Sequence, residues 1–338
     1  MNITIPVFHI SATILPFTPG RFLIPAEALK AATRGDKGSD AHFAYTESAD
    51  GITLTLITSC CGLSAKSVYQ VIPTVEDFPA RPIVQGQITA MPKETFAALG
   101  IVAGCVSTDA TRYVLNGVYF TPADGGRLIA TDGRRLAGAP ARVPNREFVL
   151  PTAAVHVLNH ADFSTRDAAV LQDDKTEDAH IQFRSGPHTF IAKTIEGHYP
   201  NYRNAIPSYM PQSVTIPETH KAALTAWLRS LKGKSNSVRL TWETPGYLTL
   251  IHRDYDTVGA TIHVPVTTEG QPPAIAFEPK HLADAIEIGP TLRLVDQLNP
   301  GMTTSPSGNF CVLMSLRFTE ETATEETAGE TPAPALAA

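Results

Sequence analysis

The sequence predicts an α+β protein in which one structural unit, a short helix packed on antiparallel strands, occurs five times along the chain. Three observations lead to this fold class. A proline that marks a helix start recurs about every sixty residues, and strand-like segments separated by turn residues follow each start. The composition is that of a globular protein, with 43% hydrophobic and 18% charged residues.

Each predicted helix begins where an apolar strand end meets a proline. Proline suits the first helical turn because its missing N–H would have no partner there. Successive prolines are 67, 59, 66 and 62 residues apart, which indicates one supersecondary unit repeated. The five prolines are Pro25, Pro92, Pro151, Pro217 and Pro279.

Strand-like segments in pairs follow each of these helix starts, with Gly, Pro, Asp or Ser between the members of a pair. A helix layer packed on such antiparallel strands makes an α+β domain. The predicted strands are 41–46 and 52–58, 113–120 and 127–131, 179–184 and 189–193, 237–242 and 247–252, and 291–295 and 310–318.

The five units predict three domains, because units pair to share a helix layer and a sheet layer. One unit stands alone in 1–85, two units form a middle domain over 86–208, and two form a C-terminal domain over 209–318. The remaining segment, 319–338, is rich in Glu, Thr, Ala and Pro and has almost no large apolar side chain, so we expect a disordered acidic tail.

Charge and cysteine content exclude several classes of protein. No apolar run approaches the roughly 18 to 20 residues that span a bilayer, and no signal peptide is recognisable, so we expect a cytoplasmic protein. The four cysteines form no C-x-x-C pair, so no metal site is expected.

The net charge of the chain is −6. Without the five glutamates of the tail, the chain has 28 acidic and 27 basic residues and is nearly neutral. Any contact with DNA must therefore come from a local basic patch.

Three stretches resemble the bacterial DNA sliding clamp family, the β subunit of DNA polymerase III, in sequence, order and spacing. They are Arg112 to Phe120, Ile129 to Ala137 and His198 to Pro207, and the strand from Val312 to Phe318 resembles the one that ends most members. Members have six helix-plus-strands units and this chain has five. Most of the first unit is missing, either because this is a shortened clamp or because the chain is begun at a late start codon.

The resemblance implies a DNA-clamp fold that closes head to tail as a homodimer, with helices lining the hole and sheets outside. Such a ring encircles duplex DNA, tethers the replicative polymerase as a processivity factor, and has no catalytic residues, cofactor or metal. A mildly basic lining suffices, because a closed ring does not need to grip phosphates. The residues that could face DNA are Lys30, Arg34, Lys93, Arg112, Tyr113, Lys221, Arg229, Lys232 and Lys280.

The resemblance also implies a pocket between the middle and C-terminal domains that receives a short linear peptide from polymerases and clamp-loader subunits. Leucine and phenylalanine anchors of such a peptide require an apolar slot with polar groups at its rim. The implied pocket residues are Leu115, Thr131, Gly133, Arg134, Arg135, Leu136, Pro200, Asn204, Ala205, Glu278, His281, Val312, Met314 and Leu316.

Some positions depart from the family pattern, and they place the binding preference of the pocket in question. Asn204 stands where an Arg is common, Glu278 where an Asn is common and Ser315 where a Pro is common.

For the implied head-to-tail contact between two copies of the chain, the expected residues are Tyr69 and Val71 on a strand edge and Trp227 and Leu228 on the facing helix.

Two other functions remain open from the sequence. An enzyme could use Asp132 with His198 or His188, but Asp132 lies in Thr-Asp-Gly, where a carboxylate typically accepts hydrogen bonds from nearby backbone N–H groups. No phosphate-binding glycine motif is present. The stronger alternative is a clamp-like interaction module that binds polymerase-type peptides without closing a ring.

Overall fold

The computed structural model describes most of the chain as helices and strands that group into two compact units. The first unit comprises 1–93 and 156–196, and the second comprises 94–155 and 197–338. The described residues are 27–28, 31, 40–48, 51–60, 63–71, 84, 86–160, 168–173, 179–185, 188–233, 236–254 and 257–318.

The described residues include four α-helices and twenty strands whose bounds are known. The helices are α1 (Lys93–Ala103), α2 (Thr152–His160), α3 (Glu218–Ser230) and α4 (Pro279–Ile288). The strands are β1 (Asp40–Ser48), β2 (Gly51–Cys60), β3 (Leu63–Val71), β4 (Gly86–Met91), β5 (Gly117–Thr121), β6 (Arg127–Thr131), β7 (Arg135–Pro140), β8 (Phe148–Pro151), β9 (Ala168–Asp173), β10 (His180–Ser185), β11 (His188–Lys193), β12 (Gln212–Thr215), β13 (Asn236–Thr241), β14 (Tyr247–Asp254), β15 (Thr257–Pro265), β16 (Thr267–Glu269), β17 (Ile275–Phe277), β18 (Thr291–Leu294), β19 (Gly301–Thr304) and β20 (Phe310–Leu313).

The first unit contains two antiparallel sheets, one of order β1-β2-β3 and one of order β11-β10-β9-β4. Leu54 and Leu56 on β2 are buried while the threonines between and beside them are only partly covered, which is the period of two expected of a strand with one buried face. Ala28, which is helical, packs with Leu54, and Phe43 and Tyr69 cover the pair.

The second unit is built around a nine-stranded antiparallel sheet of order β16-β12-β18-β19-β20-β7-β6-β5-β8. Its two halves come from distant parts of the chain and meet where β20 pairs with β7, from Phe310 opposite Gly138 to Leu313 opposite Arg135. Gly138 permits this pairing, because a Cβ at this position would lie 2.4 Å from the Phe310 ring. A four-stranded sheet of order β15-β14-β13-β17 completes the unit.

Four of the five predicted helix starts are confirmed, since helices begin beside Pro92, Pro151, Pro217 and Pro279. The fifth, at Pro25, lies outside the described residues, as does the predicted tail. The predicted strand 113–120 begins too early: Asp109 accepts a hydrogen bond from the backbone N–H of Thr111, which fixes a 3-10 helix over Ala110–Leu115 before the strand.

The predicted strand 310–318 ends too late. Pairing along the sheet stops at Leu313, and beyond it Leu316 forms a single bridge with Ala276. Ten of the described strands were not predicted. Among them β7, β8 and β17 are short and buried on both faces, so they lack an alternating pattern.

Helices beside antiparallel sheets agree with the predicted α+β class, whereas the number of repeated units and the domain bounds 1–85, 86–208 and 209–318 stay predictions. No helix in the described part of the chain has the length and hydropathy required to cross a membrane. Cys105 and Cys311 are buried free thiols.

Candidate functional site

An apolar cavity of about 450 Å³ opens in the second unit, where β7 and β20 meet the segment 199–207. Most of its lining consists of carbon atoms, with amide and guanidinium groups among them, as in sites that bind small ligands or peptide side chains. The lining residues are Leu115, Thr131, Gly133, Arg134, Arg135, Leu136, Tyr199, Pro200, Asn201, Tyr202, Asn204, Ala205, Ile206, Pro207, Asn299, Pro300, Val312 and Met314.

The floor of the cavity is part of a packed hydrophobic cluster. Leu136, Tyr202 and Val312 belong both to the lining and to this cluster, and each is less than 10% exposed. Tyr199 stacks on Tyr119 with ring centroids 4.6 Å apart and planes 7° from parallel. Because tightly packed side chains have few alternative positions, the floor is preformed.

Met314 forms the open side of the cavity. It follows β20, its side chain is 54% exposed, and its backbone N–H donates to the carbonyl oxygen of Arg134 at 3.0 Å. A flexible thioether fixed by its backbone at the mouth of an apolar slot can adapt to side chains of different shape.

The turn between β6 and β7 forms one wall and is held by its own side chains. The Thr131 hydroxyl donates to the Arg135 carbonyl at 2.6 Å and accepts from the Gly133 N–H at 3.1 Å. Asp132 Oδ1 accepts from the backbone N–H groups of Arg134 and Arg135 at 2.9 and 3.0 Å. Gly133 has φ of +88°, a conformation that favours glycine. The interpretation of Asp132 as a turn carboxylate is therefore confirmed.

Arg135 connects this turn to helix α4 through a buried ion-pair network. Its side chain is 6% exposed and pairs with Asp132 at 3.0 Å and with Asp284 of α4. The remaining guanidinium nitrogen donates to the Gly104 carbonyl at 2.7 Å. Each of the three guanidinium nitrogens of Arg135 therefore has an acceptor, as a buried charge requires.

Arg229 extends the network to helix α3. Its guanidinium lies 2.7 Å from Asp284 Oδ1 and 2.7 Å from Glu287 Oε1. The two carboxylates raise the pKa of Arg229 further above its ordinary value and balance its charge. Its role in facing DNA stays a prediction. Because Asp284 and Glu287 already neutralise its charge, Arg229 should attract a phosphate only weakly.

A second, more open set of charges lies at the rim of the cavity. Arg134 is 78% exposed, and its nearest guanidinium nitrogen is 3.9 Å from Glu278 Oε2. The same carboxylate oxygen is 3.2 Å from His281 Nδ1, and His281 Nε2 is 4.0 Å from Asp132. Burial lowers the pKa of His281, so the neutral imidazole is the favoured form at pH 7.

Eleven of the fourteen residues implied by the resemblance line this cavity. The other three lie outside the lining: Glu278 and His281 form the rim contact, and the Leu316 N–H donates to the Ala276 carbonyl at 2.8 Å. The cavity also has seven lining residues that were not expected. Five of them lie in the quoted stretch 198–207 and could have been found there; Asn299 and Pro300 come from an irregular loop that gives no pattern.

The expected DNA-facing residues are scattered over both units. Arg112 pairs with Asp109 at 3.0 Å and Lys221 with Glu218 at 3.4 Å. Tyr113 is 57% exposed, and Lys93, Lys232 and Lys280 are exposed as well. Lys30 and Arg34 lie outside the described residues.

One residue expected at a subunit contact needs correction. Leu228 is 0% exposed, so its side chain belongs to the core and has no surface left for a partner. Trp227 beside it and Tyr69 on β3 are partly exposed, and β3 is an edge strand of its described sheet. Val71 ends β3, and its side chain is not among those described.

Comparison with known proteins gives consistent matches. Residues 91–201 match the family described as DNA polymerase III beta subunit, central domain. The beta sliding clamp of Caulobacter vibrioides is 31% identical over 226 residues, covering 63% of this chain and 60% of the relative. That of Synechocystis sp. is 28% identical over 308 residues, covering 83% and 77%. This chain thus spans about 60% of the length of the Caulobacter relative.

Solved structures agree with this fold. The crystal structure of the Caulobacter crescentus beta sliding clamp superimposes with a TM-score of 0.72 and 25% identity, covering 89% of this chain and 82% of that one. A Pseudomonas aeruginosa sliding clamp, crystallised with bound griselimycin, gives the same TM-score at 19% identity.

Proposed function

We propose that the chain is a sliding clamp of the DNA polymerase III β subunit family, a processivity factor that encircles duplex DNA and tethers a replicative polymerase. It performs no chemistry itself and acts in the cytoplasm as an accessory subunit. Its partners are double-stranded DNA, a second copy of the chain, and polymerase and clamp-loader subunits that present short peptides.

The apolar cavity is the observation that carries the proposal. Its walls come from segments nearly two hundred residues apart, brought together by the pairing of β7 with β20. Leu136 and Val312 sit opposite one another on those strands and give the slot its apolar floor. A preformed apolar slot with an exposed cation at its rim suits a linear peptide with aliphatic and aromatic anchors.

A peptide of the Gln-Leu-x-Leu-Phe type is the proposed ligand. Burial of one Leu or Phe side chain contributes about 1.5–3 kcal/mol, and ordering of the peptide offsets part of this gain. The expected affinity is micromolar, which allows different partners to exchange on one clamp.

DNA is held by enclosure rather than by tight contact. The described cations proposed to face it include Lys93, Lys221, Lys232 and Lys280, and such a sparse set fits a nearly neutral body. Direct affinity for a short linear duplex should therefore be weak and fall with salt, since each Lys–phosphate contact releases condensed counterions.

Ring closure is proposed to occur through a head-to-tail homodimer of five-unit chains. The contact would join the β3 edge, including Tyr69 and Val71, to helix α3 at Trp227. A second candidate function, a clamp-like module that binds peptides without closing a ring, is favoured by the burial of Leu228, which removes one expected contact residue. The two candidates differ in solution mass: one chain of 36.3 kDa against two.

The variant Trp227→Ala tests the contact. Truncation of a tryptophan at an interface centre costs about 2 kcal/mol, equivalent to about thirtyfold weaker dimerisation. Analytical ultracentrifugation across micromolar concentrations should show dimers for the wild type and monomers for the variant. Tyr247→Ala, which removes an exposed aromatic ring elsewhere, should leave the mass unchanged. A wild-type chain that stays monomeric at high concentration favours the non-ring-closing module.

Primer extension on a singly primed circular template tests the function as a whole. With a family polymerase and clamp loader present, addition of this chain should lengthen the products made in one binding event, because the tethered polymerase rebinds before it diffuses away. Product lengths unchanged by the chain would exclude it as a processivity factor for that polymerase.

A further inference from the structure

We propose that the rim pair Arg134 and Glu278 sets the charge preference of the pocket, so that peptides with an acidic residue beside their apolar anchors bind better than neutral ones, and neutral ones better than basic ones. This inference rests on the proposed peptide-binding function and adds a class of preferred ligand to it. Arg134 supplies the preference, and Glu278 reduces its size.

Arg134 is the lining residue that combines a full charge with an exposed side chain. It is 78% exposed, whereas its neighbour Arg135 is 6% exposed and surrounded by its own partners. The other polar lining side chains are neutral: Thr131, Asn201, Asn204 and Asn299 among them. A charged residue that flanks the bound anchors therefore meets the guanidinium of Arg134 first.

The hydrogen-bonding capacity of Arg134 is largely unused. Its contact with Glu278 is 3.9 Å long, beyond the range of a hydrogen bond, so the pair interacts by charge alone. A guanidinium offers a fork of donors that fits a carboxylate, and a ligand Asp or Glu could reach the geometry that Glu278 does not.

Glu278 is held in place beside Arg134 and acts as a fixed negative charge. It occupies the N-cap position of α4, where the helix dipole favours an anion, and its carboxylate contacts His281 Nδ1 at 3.2 Å. Its side chain is 33% exposed and lies outside the cavity lining. Glu278 therefore repels a ligand carboxylate without being displaced by it, and weakens the acidic preference.

Binding of matched peptides to the full chain tests this proposal. The probe is a fluorescent peptide that contains Gln-Leu-x-Leu-Phe and carries Asp, Asn or Lys at one flank, either directly before the Gln or directly after the Phe. Fluorescence anisotropy gives the Kd of each peptide. At one of the two flanks, Asp should bind about two- to fivefold tighter than the isosteric Asn, the size expected of a solvent-exposed ion pair, and Lys should bind weaker. The differences should shrink in high salt.

Two variants assign the effect to the rim. Arg134→Gln should abolish the Asp-over-Asn preference at that flank, while Glu278→Gln should enlarge it by about two- to fivefold. The Kd ratio of the Asp to the Asn peptide is compared within each protein, so that a general change of the slot, which alters both Kd values alike, leaves the ratio unchanged. A purely structural role for either residue would change the affinity of every peptide alike.

Equal Kd values for Asp and Asn peptides at both flanks, or a preference that survives Arg134→Gln, would overturn the inference while leaving the pocket in place. A complete lack of peptide binding in wild type and variants would instead overturn the proposed peptide function, and the inference with it.

Discussion

Replacement of Arg135 by methionine is expected to destabilise the second unit by about 3 kcal/mol. The substitution keeps much of the side-chain volume but removes the cation from Asp132 and Asp284, two carboxylates that are each about 20% exposed. Loss of one partner of a buried ion pair typically costs about 3–5 kcal/mol. The lower end of this range is expected because Asp284 keeps its ion pair with Arg229 in the variant.

Tryptophan fluorescence in a denaturant titration measures this effect, since both tryptophans of the chain, Trp227 and Trp242, lie in the second unit. The matched control is Arg134→Met, one position away but 78% exposed, for which a change within about 0.5 kcal/mol is expected. Equal stability of the two variants would mean that the ion-pair network contributes nothing to the fold.

The variant Met314→Asp is expected to weaken binding of a Gln-Leu-x-Leu-Phe peptide by more than about tenfold. An ionised carboxylate at the mouth of the slot must lose water when an apolar anchor covers it, and this desolvation opposes binding. The fold should persist, because Met314 is 54% exposed and follows the last paired residue of β20.

Fluorescence anisotropy with the labelled peptide gives the affinity, and thermal denaturation checks the fold. Tyr209→Asp is the control, since Tyr209 is 73% exposed and is absent from the cavity lining. Identical affinities for wild type, Met314→Asp and Tyr209→Asp would remove the cavity as the binding site.

Local signals account for what the sequence predicted of the fold. Proline at a helix start acts within one turn, so four helix starts could be read directly from Pro92, Pro151, Pro217 and Pro279. Turn chemistry is equally local, and the role of Asp132 in its turn followed from its neighbours. The bounds of strands buried on both faces carry no such signal.

Contacts between distant residues could not be predicted in this way. Arg135 and Asp284 are separated by 149 positions and become partners only when β7 and β20 bring their halves of the sheet together. Leu228 illustrates the same limit. One turn of helix α3 presents both core and surface positions, and the resemblance to the clamp family placed this buried leucine at a subunit contact.

Retention on circular DNA tests the central claim most directly. The chain, labelled with a fluorophore, is placed on a nicked circular plasmid by a clamp loader, isolated with the plasmid by gel filtration, and then treated with a restriction enzyme that cuts once. The account predicts stable retention on the intact circle and loss on linearisation, because an encircling ring leaves DNA only over an end. Retention that is the same before and after cutting, or rapid loss from the uncut circle, would contradict it.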